Sequence, residues 1–61
     1  MYFEITDIIQ IFNAHFIVAS EPYVHPATKY MVVDAVKMDT GEKHTISVHV
    51  ILKEGSVLSK S

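Results

Sequence analysis

From Lys43 to Leu52 bulky apolar side chains fall on alternate positions, Ile46, Val48, Val50 and Leu52, with polar Thr45, Ser47 and His49 between them. A period of two is the mark of a strand with one wet face. Across Asp39-Thr40-Gly41-Glu42, the run from Tyr30 to Met38 is rich in valine and bounded by turn residues, so the two runs predict a β-hairpin. Two registers are open. In the favoured one, Asp39 to Glu42 form a four-residue loop, Met38 faces Lys43, and Met31, Val33 and Ala35 stand opposite Val50, Val48 and Ile46. In the other, Gly41 is left-handed with a bulge, Met38 faces Glu42, and Asp34 lands opposite Ile46. The first keeps one face wholly apolar, and a slip of one residue would turn every side chain over.

The segment from Tyr2 to Phe12 fits two periods. Ile5, Ile8, Ile9 and Phe12 have helical spacing, while Phe3, Ile5, Asp7, Ile9 and Ile11 alternate. Isoleucine and phenylalanine favour strand, so the reading is a strand broken near Thr6-Asp7, with a helical turn there as the alternative. Asn13-Ala14-His15 marks a tight turn and Phe16 to Ser20 a further strand. Between Glu21 and Lys29 lie both prolines, Pro22 and Pro26, which cannot donate to a ladder, so this stretch predicts a loop or an edge. Lys53 to Ser56 reads as a turn, Val57-Leu58 as a closing strand, and Ser59 to Ser61 as a frayed tail. Short strands at this spacing predict one all-β domain, a small five-stranded SH3-like barrel or a strongly twisted antiparallel meander.

Composition narrows the chemistry. At 61 residues with 49% apolar content the chain has a core, but a small one whose folding buries about 60% of the unfolded surface. There is no cysteine, which excludes disulfides, thiolate zinc sites and a cysteine nucleophile. The uncharged run from Ile8 to Ala19 is too short to span a bilayer, and Glu4 and Asp7 are out of place in a secretory leader, so a cytoplasmic protein is expected. The formal net charge is -2, and arginine, the residue best suited to gripping phosphate in two places, is absent.

The order Ile9-Gln10-Ile11, turn, Phe16-Ile17-Val18, Ser20-Glu21, Val24-His25-Pro26, Val-rich strand, Asp39-Thr40-Gly41, strand resembles the SH3-like (KOW-type) amino-terminal barrel of the elongation factor P family. In that family a Ser-Glu pair leads into a proline-introduced loop, and a later strand ends at Thr-Gly. The resemblance spans about residues 8–51 and implies a barrel and, with it, contact with RNA in translation. The family's glycine-rich loop with a lysine at its tip is not matched: His25-Pro26-Ala27-Thr28-Lys29 has neither glycine, and Lys29 is displaced from the tip.

Four histidines invite a metal, but His44 and His49 fall on opposite faces of the proposed strand, and nothing brings His15 and His25 to them, so no metal or cofactor is expected. Ser47 and His49 share that strand's face about 7 Å apart, too far for a nucleophile and its base. Asp34 beside a histidine could imitate an acid–base pair, yet so small a chain has little room for a pocket, and no enzymatic activity is expected. Binding chemistry gathers instead at Tyr23, His25, Lys29 and Tyr30, two aromatics, an imidazole and an ammonium on an extended loop. Lys37 and Lys43, close together in the favoured register beside Glu42, are secondary candidates. The expectation is a non-enzymatic accessory or regulatory module that docks another protein through residues 22–30 or a sheet edge. The alternatives are an RNA-contacting module and, for the free edge, a homodimer.

Overall fold

A computed structural model describes residues 3–60. Tyr2, where the amino-terminal strand was expected to begin, and Ser61, the end of the expected tail, lie outside the described residues. The elements are β1 (Ile8–Ile11), β2 (Ala14–Val18), β3 (Tyr23–Val24), β4 (Met31–Lys37), β5 (Lys43–Ser47), a helix α1 (Val48–Glu54) and β6 (Ser56–Ser59). The all-β expectation holds, with one short helix added.

All pairings are antiparallel. β1 pairs with β2 and, on its other edge, with β6; β2 pairs with the end of β4; β5 takes the opposite edge of β4. β3 continues the arm begun by β2. Phe16 faces Lys37 and Val18 faces Ala35, whereas Tyr23 faces Val32 and Val24 faces Met31, so two extra residues are taken up between Val18 and Tyr23. The stretch carrying Pro22 is therefore the irregular middle of a strand, and Tyr23–Val24 forms a sixth strand beyond the five expected.

One face of this curled sheet is the core. Ile9 and Ile11 of β1, Phe16 and Val18 of β2, Val33 and Ala35 of β4 and Ile46 of β5 point inward with Phe3, Val48 and Ile51. β1 and β2 alternate as their apolar pattern requires. The first hairpin turns at Phe12-Asn13, one residue earlier than expected, because Ile11 stands opposite Ala14 and Ile9 opposite Phe16. That register keeps every inward position apolar.

The second hairpin corrects both expected registers. Val33 faces Ile46, Asp34 faces Thr45, and Val36 faces Lys43. The Lys37 amide donates to the Glu42 carbonyl at 2.8 Å, so the loop is Met38 to Gly41, with Gly41 left-handed at φ 78°. Compared with the favoured register the pairing slips by two residues. Such a slip keeps Val33, Ala35 and Ile46 on the core face, so these three were read correctly while their partners were not; Met31, expected inward with them, is exposed, and Val48 and Val50 leave the strand for the helix.

The strand expected to run to Leu52 ends at Ser47. Val48, Val50 and Leu52 alternate, but Ile51 is apolar too, and Val48 and Ile51 have the i, i+3 spacing of one helical stripe. Both are buried, while Leu52 is exposed. The Gly55 amide closes the helix on the Ile51 carbonyl at 2.8 Å. A Cβ on Gly55 would stand 3.0 Å from the carbonyl oxygens of Gln10 and Ile51, so any larger residue would push this corner away from β1 by a few tenths of an ångström.

No helical turn forms at Thr6. Thr6 is left-handed at φ 76°, and its amide donates to the Val18 carbonyl at 2.9 Å. The bend tucks Asp7, at 0% exposure, into the core edge. Its Oδ2 accepts from the Glu4 amide at 3.0 Å and from Lys60 Nζ at 2.9 Å. Ser59 closes β6 and Lys60 is tied to a buried carboxylate, so these two residues are not frayed as expected. A buried carboxylate without such partners would cost several kcal/mol, on the order of 3–5.

Candidate functional site

The loop after β3 is a compact turn. The His25 amide donates to the Tyr30 carbonyl and the Lys29 amide to the His25 carbonyl, each at 2.8 Å. The His25 side chain turns back on the loop, and its Nδ1 accepts from the amides of Ala27 at 3.1 Å and Thr28 at 3.3 Å. Thr28 Oγ1 accepts from the Tyr30 amide at 3.4 Å. Lys29, at the turn's closing position, is left-handed at φ 65°. For a residue with a Cβ this costs about 1–2 kcal/mol, which the two side-chain caps help to offset.

This geometry fixes what the loop shows to solvent. Val24 and Met31 face each other across the last pair of the β3–β4 ladder, both exposed, and Tyr30 stands beside them at 63% exposure. Tyr23 lies at the inner margin. It is paired with Val32, and its hydroxyl donates to Asp34 Oδ1 at 2.8 Å, so the ring passes over the flank of Val32. Thr45 Oγ1 also donates to Asp34 Oδ1, at 3.1 Å, and the Asp34 amide donates to Ser20 Oγ at 3.0 Å. The carboxylate thus ties β3, β4 and β5 together on the outer face. Accepting the phenol's hydrogen bond, it holds Tyr23 above the usual tyrosine value of 10.0; burial and the carboxylate's charge add to this, and Thr45 works slightly against it.

Tyr23, His25, Lys29 and Tyr30 are therefore brought together at one end of β4. Lys37 and Lys43 are not. They lie at the other end, about 20 Å away by the rise of a strand. Nor do they form a pair, since Lys43 shares the outer face with Val36 whereas Lys37 lies beside Phe16 on the inner one. The expected closeness of these two lysines came from the register that the pairing overturns.

The remaining candidates are scattered. His44 is on β5 and His49 on α1, so they do not share a strand, and neither do Ser47 and His49. His44 meets the Phe16 ring edge-on at 5.3 Å, and its Nε2 lies 3.5 Å from Glu42 Oε1. Among the described residues, no three histidine or acidic side chains gather as metal ligands would. A shallow cleft of 280 Å³ on the outer face is lined by Asp34, Lys43, His44 and Thr45, where the carboxylate is already engaged by two hydroxyls.

Sequence reasoning missed two contributors. Val24 and Met31 were read as a loop residue and a core residue. Away from this site, Phe12 was read as the end of a strand. Phe12 sits at the tip of the first hairpin, left-handed at φ 55° and 65% exposed, with Asn13 left-handed beside it. The parity of Ile9, Ile11 and Phe16 contains part of the signal, because a loop with an even number of residues keeps all three inward, and the two-residue turn at 12–13 is one such loop.

The chain finds no match among protein-family models, curated proteins or solved structures. Among the described residues no helix is long and apolar enough to cross a membrane.

Proposed function

We propose that this protein is a non-enzymatic docking module that seats the β3–β4 end, Tyr23 to Met31, against another protein. The observation that carries the reading is the exposure of Tyr23, Val24, Tyr30 and Met31 around one hairpin end, where Val24 and Met31 share one face of the ladder and Tyr23 lies on the other. Aromatic anchors held on a rigid hairpin lose little freedom on binding and are enriched where proteins meet. The cytoplasm is its proposed location, and an accessory or regulatory role suits so small a surface. An SH3-like barrel is supported by the strand path: a meander through β1, β2, β4 and β5, one short helix, then β6 back onto β1.

The RNA reading draws on Lys29 beside Tyr30 but loses Lys37 and Lys43 to the far end of the sheet. An amide-resolved NMR titration with a short mixed-sequence RNA, at low and at moderate salt, separates the two. Protein docking predicts no shifts at Tyr23 to Tyr30, and a partner retained by the wild type but lost by a folded Tyr30→Ala variant. Salt-sensitive shifts confined to that loop would replace docking with RNA binding.

A further inference from the structure

The loop that presents this surface is closed by two backbone bonds and by side-chain contacts, and one atom among these can change its character. Nδ1 of His25 accepts hydrogen bonds from the Ala27 and Thr28 amides at 3.1 and 3.3 Å. A ring nitrogen accepts only while it bears no hydrogen, so the closed loop requires the neutral imidazole with its proton on Nε2. Protonation puts a hydrogen on Nδ1 and turns the acceptor into a donor facing two other donors. From these contacts we infer that the His25–Tyr30 loop is a proton-controlled latch, closed when His25 is neutral and opened when it is protonated, so that acidification withdraws the docking surface. The inference rests on the docking reading for its consequence but not for the latch itself.

The surroundings favour opening once the ring is charged. Lys29 lies within the same turn, with its amide on the His25 carbonyl, and brings a second positive charge to a loop of six residues. Tyr30, the other titratable group in the loop, offers His25 only its backbone carbonyl. From β3 and β4, Tyr23 and Asp34 are engaged with each other, and Asp34 also with Thr45. Glu21 precedes β3, and among the described residues no ion pair reaches the His25 ring. Without its Nδ1 cap the turn retains a left-handed Lys29, the backbone bonds that join His25 to Lys29 and Tyr30, and the weaker Thr28 contact, while the Ala27 and Thr28 amides lose their acceptor. The residue positioned by that turn is Tyr30, the most exposed aromatic of the cluster.

An imidazole in water takes up a proton at about pH 6.5, within the range cells use for signalling by pH. The test follows the free protein by NMR from about pH 8 to about pH 5, reading the His25 ring nitrogens and the Ala27 and Thr28 amides. At the high end His25 shows the Nε2–H tautomer. On acidification both amides shift with the midpoint of the ring. Asparagine places Oδ1 at the same bond distance from the backbone as Nδ1 and does not titrate, so His25→Asn keeps the latch closed and its two amides stay in place throughout. Amides that hold still while His25 titrates, or that move equally in His25→Asn, overturn the latch. A partner bound at the high end should be lost by the wild type at the low end and kept by His25→Asn. Wild-type binding that persists with the loop open overturns the gating. Tyr30→Ala binding the partner as well as the wild type overturns the docking reading while leaving the latch measurement intact.

Discussion

Two hairpin tips in this molecule each carry an exposed aromatic and a left-handed residue other than glycine, and they are held by different means. Phe12-Asn13 is the tightest turn a hairpin allows, closed by the Ile11–Ala14 pair, with Ile11 in the core. The His25–Tyr30 loop is closed by the Val24–Met31 pair, both of whose side chains face solvent, and by contacts from His25 and Thr28. The first tip is fixed by the fold beneath it. The second is fixed by bonds within the loop itself, backbone and side chain, so its shape can change without the core changing. A binding surface under chemical control fits the second kind of tip, because local opening there costs little of the global stability.

The sharpest way to break the comparison is to truncate the residue that closes each tip. Ile11→Ala removes buried methylenes and leaves a cavity between β1 and the helix corner, which costs about 2–5 kcal/mol, enough to unfold much of a domain this small. Thermal or urea unfolding measures it. Val24→Ala, at the corresponding place beneath the second tip, removes an exposed side chain and should stay within about 0.5 kcal/mol of wild type. Equal losses at the two sites would show that the second tip is as much part of the core as the first.

Strain should be common to both tips, and relieving it is the next largest effect. Phe12→Gly and Lys29→Gly replace left-handed residues at φ 55° and 65° with the one residue that adopts them freely. Each should stabilise by about 0.5–1 kcal/mol after the greater freedom of glycine in the unfolded chain is counted. A loss at Phe12 would mean that its ring contributes packing which its exposure does not suggest. A gain would mean that the aromatic is kept at the tip against the interest of stability, the pattern expected of a binding residue.

How much of this was legible depended on what each segment answers to. Ile9, Ile11, Phe16, Val18, Val33, Ala35 and Ile46 obey a period of two, and the face they share was readable because burial acts on parity. Which residues pair was not readable around Gly41. Moving a four-residue loop by one position shifts the pairing by two and leaves the same face buried, and only the backbone hydrogen bonds distinguish the two loops. Residues 48–52 satisfy both periods through Ile51, and the tie was broken by tertiary need, since a helix there seals the end of the core. Asp7 shared the alternating parity of Phe3, Ile9 and Ile11, but the partner that lets it be buried, Lys60, is 53 positions away and could not be read. Tyr23, His25, Lys29 and Tyr30 were legible as a group because they are close in sequence. Lys37 and Lys43 joined them only through charge, which carries no information on place.

A smaller effect separates the aromatic that anchors the second tip from the one that is free on it. Tyr23 donates to the Asp34 carboxylate, whereas Tyr30 stands in solvent. Losing the phenolic proton places a negative oxygen against a carboxylate, so Tyr23 ionises above the usual value of 10.0, chiefly because the hydrogen bond to Asp34 must be given up. A group raised in the folded state contributes stability that is complete below its unfolded value of 10.0 and is lost as pH climbs through its higher folded value. Phenolate absorbance should therefore show a late component in the wild type that is absent from Tyr23→Phe. The late component should move down to the ordinary range in Asp34→Asn. If it stays high there, the bridge from β3 to β4 is not made by Asp34, and the inner margin of the docking surface is held by packing on Val32 alone.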